Sequence, residues 1–168
     1  MKKILSKGLL VLYVMMLIWL VLFKFKFNIS PVLHSNHRSL NLIPFAAPSM
    51  VHGKINYGEM ILNCLFFVPL GLLLNVNFKK TGFLTKVAFI LCFSVAAELI
   101  QYIFAIGATD ITDVITNTFG GLLGLILYNA GSRFLNNEKL DRVIISFGFL
   151  LFIFFICMHA SHYAMRHS

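Results

Sequence analysis

Carboxylates are scarce in this sequence. Six Asp and Glu stand against fourteen Lys and Arg, and charged residues of both signs make up only 12% of the 168-residue chain. So little charge cannot clothe a soluble domain. With a hydrophobic share of 59% and a mean hydropathy of +0.86, an ordinary water-soluble core is excluded. Cysteine is equally sparse: Cys64, Cys92 and Cys157 are odd in number and all lie inside apolar runs. That argues against a disulfide framework and reads them as small hydrophobes. No P-loop, Gly-rich dinucleotide fingerprint, HExxH or GxSxG occurs, so the chemistries those motifs carry have no support here. Internal repeats and low-complexity tracts are also lacking. The net charge of +8 is scattered in twos and threes. A nucleic-acid surface would gather it into a stripe, whereas dispersed charge suits the ends of membrane helices.

What the sequence has in abundance is long apolar runs, each near the ~20 residues that span a bilayer. They predict an all-α membrane domain over residues 1–168, with five spans at about 7–23, 59–77, 83–105, 113–130 and 142–160. The fourth is short and glycine-rich. The N-terminus "MKKILSKGLLVLYVMMLIWLVLF" begins like a signal peptide, but its apolar stretch is long and "FKFKFN" follows where small residues would mark cleavage. It reads as an uncleaved first span. Assigning the N-terminus to the inside puts nine basic residues in inner segments (Lys2, Lys3, Lys7, Lys79, Lys80, Lys86, Arg133, Lys139 and Arg142) against five outside. The positive-inside rule therefore favours N-in and C-out.

The connection after the first span contains "HRSLNLIPF", residues 37–45. It is too short and interrupted to cross, so Leu40–Phe45 either rests on the outer interface or dips back as a re-entrant segment.

Half of the six carboxylates fall in "ELIQYIFAIGATDITDVITNTFGG", residues 98–121, with no Lys or Arg beside them. A charged residue at mid-depth costs roughly 2.5–3.5 kcal/mol on insertion scales and ordinarily faces protein or water. Counting ~1.5 Å per helical residue from the expected outer boundaries puts Asn63 and Asn117 ~6 Å deep and Glu98 ~9 Å deep. Three helices thus bring polar groups to one level. Gln101 shares the face of Glu98, and Asp113 that of Asn117. Glu98 is expected to point inward, either paired or protonated, with Arg38 as its cationic partner if the "RSLNLIPF" segment folds back. The candidate cluster is therefore Glu98, Gln101, Asp110, Asp113, Asn117, Asn63 and Arg38. Gly120 and Gly124, four apart beside Gly121, offer a face for close helix approach. Pro69 frees a backbone carbonyl in the second span. No cofactor is expected. A divalent cation at Glu98, Asp110 and Asp113 is the weaker reading, since no diagnostic loop spacing is present. His159 and His162 lack a third ligand, and His34, His37 and His52 read as decoration of an exposed connection.

The segments "RSLNLIPF", "NCLFFVPLGLLLNVNFK", "AELIQYIFAIGATDITDVITNTFGGLLGL" and "KLDRVII" together resemble the VanZ-like family over nearly the whole chain. The resemblance implies a multi-pass plasma-membrane protein of Gram-positive bacteria. It further implies an accessory role in glycopeptide resistance, raising resistance to teicoplanin with little effect on vancomycin. Two classes of mechanism remain open at this stage. The preferred one is non-catalytic: a membrane factor that alters how the lipid-tailed drug reaches or anchors in the outer face. Its partners would be membrane lipids, and either teicoplanin or a lipid-linked envelope polymer. The alternative is an enzyme acting on a lipid or glycolipid headgroup, with Glu98 as acid or base, Asp110 and Asp113 binding the headgroup, Arg38 holding a phosphate, and Thr109, Thr112 or Thr116 as a weak nucleophile candidate. A transporter fits less well, because the paired repeats common in transporters are missing.

Overall fold

An apolar run in lipid must satisfy its backbone hydrogen bonds internally, and a helix does so within one segment. The computed structural model describes residues 2–23, 39–45, 50–51, 54–55, 57–105 and 108–167. Within these, five helices form: α1 (Lys2–Phe23), α2 (Gly58–Asn77), α3 (Phe83–Phe104), α4 (Ile111–Phe134) and α5 (Asn137–His167). All five are long and apolar enough to cross a membrane, so the chain reads as a multi-pass membrane protein. Even the 20-residue α2 extends ~30 Å at 1.5 Å per residue.

The helices run up and down. Asn77 Nδ2 at the finish of α2 donates to the Ser6 carbonyl near the start of α1 (3.3 Å). Gln101 Nε2 at the finish of α3 donates to the Val21 carbonyl at the finish of α1 (2.9 Å). One end of the bundle gathers the starts of α1, α3 and α5, and we call it the basic end. The other carries four short strands: β1 (Ser39–Asn41), β2 (Met50–Val51) and β3 (Lys54–Ile55) before α2, and β4 (Ala108–Asp110) before α4. We call it the strand end. There β1 pairs in parallel with β4, Ser39 opposite Ala108 and Asn41 opposite Asp110, while β2 and β3 form an antiparallel pair.

This arrangement differs from the sequence expectation in three places. Residues 39–41 of the "RSLNLIPF" segment, where no strand was expected, pair as a strand with the α3–α4 connection. Strand pairing satisfies backbone groups that an apolar loop at the membrane edge would leave bare. The fourth helix, expected at 113–130, runs from Ile111 to Phe134 and is the most enclosed span, whereas α5 is the least. Its glycines and polar side chains make it look like a weak span because they pack against protein, not lipid. The first and fifth helices also outrun the expected 7–23 and 142–160, since a helix persists beyond the apolar run into polar surroundings.

The core joins Leu9, Tyr13 and Leu17 of α1 to Phe67, Leu70 and Leu73 of α2, with Ile90 of α3 and Leu125 of α4. Positions 9, 13 and 17 recur every four residues and so share one face of α1. The most extensive helix interface is α2 against α4. Gly120 and Gly124 of α4 and Gly71 of α2 face each other there. A Cβ on Gly120 would collide with the Cys64 carbonyl, and one on Gly124 with the Val68 carbonyl. Gly121 turns instead to α3, against the Ile90 side chain.

Pro69 lies inside α2, where it removes one backbone donor and loosens the preceding turn. In that turn the Phe66 carbonyl accepts a hydrogen bond from the buried Tyr13 hydroxyl (2.8 Å). Tyr13→Phe is expected to cost about 1 kcal/mol. Thermal melting in detergent should then fall by ~2–4 °C, and an unchanged midpoint would count against the bond.

Candidate functional site

The polar site is built at the strand end from the α3–α4 connection outward. Asp110 is the N-cap of α4, with extended backbone (φ −129°, ψ 124°), and its Oδ1 accepts from the Thr112 N–H at 2.8 Å. A carboxylate at this position satisfies an orphan helix donor and meets the positive end of the helix dipole. Its Oδ2 accepts from Asn41 Nδ2 of β1 (3.1 Å), and its own N–H donates to Glu98 Oε2 of α3 (3.1 Å). Thr109 Oγ1 donates to the Glu98 carbonyl (3.2 Å). Two residues on from β1, the Ile43 N–H donates to Asn41 Oδ1 (3.1 Å), and the Phe45 N–H donates to Thr112 Oγ1 (3.1 Å). β1 and the segment after it are thus latched onto the start of α4 at two points, Asn41 to Asp110 and Phe45 to Thr112.

Deeper in the bundle, Asp113 is 5% exposed and its Oδ1 accepts from Asn63 Nδ2 of α2 at 2.8 Å. One turn further along α4, Asn117 is buried and donates to Ser94 Oγ of α3 (2.9 Å). Side chains from α2, α3 and α4 therefore interlock. Gln101, although on the same helix as Glu98, is directed at α1 through the Val21 carbonyl and acts as a helix clamp. The amide oxygens of Gln101 and Asn117 are buried with no hydrogen-bond partner among the described residues, so the interior keeps acceptor capacity. Arg38 lies outside the described residues, as do His34, His37 and His52.

Chemically, the site is mostly committed to its own scaffold. Thr109 donates to a carbonyl, Thr112 holds the Phe45 N–H, and Thr116 donates to the Thr112 and Asp113 carbonyls (3.0 and 3.2 Å). Among the described residues none of these hydroxyls is paired with a general base, so the enzyme reading gains no activated nucleophile from them there. Among the described residues no group of three or more His, Cys, Asp or Glu is placed to hold a metal ion. Glu98 accepts from the Asp110 N–H, Asp110 from Thr112 and Asn41, and Asp113 from Asn63.

Sequence reasoning overlooked two participants here. Ser94 lies one turn before Glu98 on the same face of α3, a spacing that was available to read. Asn41 joins through strand pairing, which no local pattern announces. It also overlooked a second polar assembly at the basic end. Lys86, 6% exposed, donates to Asn75 Oδ1 (2.6 Å), and Asn75 Nδ2 reaches the Leu125 carbonyl (3.0 Å) and Asn129 Oδ1 (3.3 Å). Asp141 accepts from Tyr128 OH (2.7 Å) and from Lys79 Nζ (2.5 Å). Burial works to lower the pKa of the Lys79 ammonium, but its bonds and charge contacts with Asp141 and Tyr128 outweigh this and hold it above the ordinary value. The available signal was a lysine at the start of an apolar run, which topology charge explains too readily.

Comparison with known proteins bears on the region just described. The family model described as VanZ/LLP1 matches residues 10–135, a stretch that contains every polar-site residue named above. "Protein VanZ" of Enterococcus faecium is 59% identical over 153 residues, covering 91% of this chain and 91% of that protein. No solved structure matches. The match spans α2, α3 and α4 together with the connections that assemble the strand end, and the chain belongs to the VanZ/LLP1 family.

Proposed function

We propose that the protein is an accessory membrane determinant of glycopeptide resistance. It raises resistance to teicoplanin, with little effect on vancomycin, by altering the drug's access to or anchoring at the outer face of the plasma membrane of a Gram-positive cell. The observation that carries this reading is the near end-to-end similarity to Protein VanZ, 59% identical over 91% of both chains. Orientation with the N-terminus inside and the C-terminus outside puts the strand end outward. The basic excess of inner segments supports that choice, with Lys79 and Lys80 between α2 and α3, Arg133 in the last turn of α4, and Lys139 and Arg142 in the first two turns of α5.

The chemistry of selectivity follows from the drug's acyl tail. Each buried CH₂ contributes roughly 0.8 kcal/mol to membrane attachment, so a tailed glycopeptide depends on the outer leaflet in a way a tail-free one does not. A latched, hydrogen-bonded surface at headgroup level is suited to disfavouring that attachment or to altering a lipid-linked polymer on which the drug docks. Its carboxylates act as fixed acceptors in this role, and no covalent step is required.

The test is drug susceptibility in a sensitive Gram-positive host expressing wild type, Glu98→Gln or Asp113→Asn at matched membrane levels. Wild type should raise the inhibitory concentration of teicoplanin and leave that of vancomycin unchanged. The two carboxamide variants should lose most of this protection. A teicoplanin analogue without its tail should escape protection altogether. Equal protection against both drugs, or none against either, would sink the proposal.

A further inference from the structure

At the basic end, away from the polar site, a cavity of about 300 Å³ opens between the finish of α2 and α4 and the starts of α3 and α5. That volume falls at the small end of ligand pockets. Its wall includes Asn75, Lys79, Lys86, Asn129, Ser132 and Asn137. Amides, three hydroxyls (those of Thr81, Tyr128 and Ser132) and two ammonium groups line it, and no carboxylate belongs to the wall. Lys86 is the unusual member. Only 6% of it is exposed, and its bond is to a neutral amide, Asn75 Oδ1, at 2.6 Å.

A buried charge is ordinarily matched by an opposite charge, because desolvation is costly and a neutral partner compensates little of it. The nearby carboxylate, Asp141, is already engaged by Lys79 Nζ and Tyr128 OH. Among the described residues no carboxylate pairs with Lys86. An ammonium has three donors, and the bond to Asn75 uses one. Asn75 in turn is fixed by the Leu125 carbonyl and Asn129, so the lysine is held in place before any ligand arrives. The first turn of α3 adds a second favourable field. Its N-cap, Gly82, provides no side-chain bond to the orphan N–H groups, and Phe83 of that turn is on the cavity wall. Unsatisfied N–H groups at a helix start favour an anion.

We propose that this cavity binds a phosphate group, with Lys86 as its buried anchor, Lys79 at its rim, and the Asn129 amide completing the donor set. The phosphate belongs either to a phospholipid headgroup or to a soluble phosphate. The inference stands apart from the resistance reading, because it uses neither the strand end nor the drug.

Full-length protein in phosphatidylcholine nanodiscs tests it through the melting midpoint. One arm adds phosphatidylglycerol to the disc, and the other adds inorganic phosphate to the buffer. A rise of several degrees in wild type is expected in one arm or both. A rise with phosphatidylglycerol alone assigns a lipid headgroup, and a rise with inorganic phosphate assigns a soluble ligand. Lys86→Met should weaken the apparent affinity at least ~10-fold, as removal of a buried charged partner does. If Lys86→Met does not fold, Ser132→Phe, which fills the cavity from its wall, must abolish the rise instead. No rise for wild type in either arm, or an undiminished rise in the folded variant, overturns the proposal.

Discussion

Gly124→Leu is expected to abolish the folded bundle, with no monodisperse protein recovered in detergent. A Cβ at Gly124 would land on the Val68 carbonyl and lie 3.0 Å from the Gly71 Cα and from the Leu72 nitrogen. A Cβ at Gly71 would strike the Gly121 carbonyl and lie 2.9 Å from the Leu125 nitrogen. All these obstacles are backbone atoms, so no rotamer change makes room. The two helices would have to separate along their largest interface. Separation would stretch the Asn63–Asp113 bond (2.8 Å) and the bond from Asn75 to the Leu125 carbonyl (3.0 Å), uniting steric and polar losses. Overpacking alone costs ~1–3 kcal/mol and occasionally more. Two substitutions calibrate the result. The three nearest atoms to a Cβ at Gly121 all belong to the Ile90 side chain, which can shift, and Gly8→Ala meets nothing within 4 Å. The order of damage should be Gly124→Leu, then Gly121→Ala, with Gly8→Ala harmless. Size-exclusion chromatography and melting of all three check it, and a Gly124→Leu protein that melts with wild type would refute the close-approach account.

Asp110→Ala is expected to unlatch the strand end and remove the proposed teicoplanin protection while leaving the helices inserted. The substitution deletes the N-cap bond to Thr112 and the acceptor for Asn41. A lost cap costs ~0.5–2 kcal/mol, and a lost bond to a charged acceptor ~1.5–3 kcal/mol. Because the two share one side chain they are not strictly additive, and a total near ~2–4 kcal/mol is expected. Asp110→Asn separates the contributions. Asparagine caps a helix about as well as aspartate, but its amide nitrogen would face the amide of Asn41 donor to donor. Adding Asn41→Asp reverses the pair, and the carboxylate it introduces would still accept from the Ile43 N–H as the Asn41 amide oxygen does. The double variant should therefore regain more than half of the loss. Hydrogen exchange at the Ile43, Phe45 and Thr112 amides reports the latch directly. Exchange unchanged in Asp110→Ala, or no recovery in the double variant, would refute the latch.

The polar residues of α3 and α4 were legible because helical spacing is a local property. Glu98 with Gln101, and Asp113 with Asn117, could be assigned to common faces from the sequence. Counting depth also set Asn63, Glu98 and Asn117 near one level. It could not name partners: Asn63 bonds to Asp113, Asn117 to Ser94, and Glu98 to the Asp110 backbone. Each bond depends on the rotation of one helix against another, which is set by the sum of all contacts along the interface. The basic end was missed for the opposite reason. Lys79 and Lys86 fit a topology rule so readily that their spatial partners, Asp141 sixty-two positions away and Asn75 across a turn, were not sought.

By itself the sequence determined the five spanning-length helices among the described residues, roughly where they lie and that their composition suits lipid. Hydropathy acts through length and composition, and backbone satisfaction in a bilayer leaves a helix as the available solution for a lone apolar run. Tertiary structure alone decided that β1 pairs with β4, that α4 is the enclosed helix, and that Lys86 is buried at a cavity instead of marking a boundary. Those outcomes join residues far apart in the chain. Their free energy exists only once the helices have docked, so no stretch of sequence carries it alone.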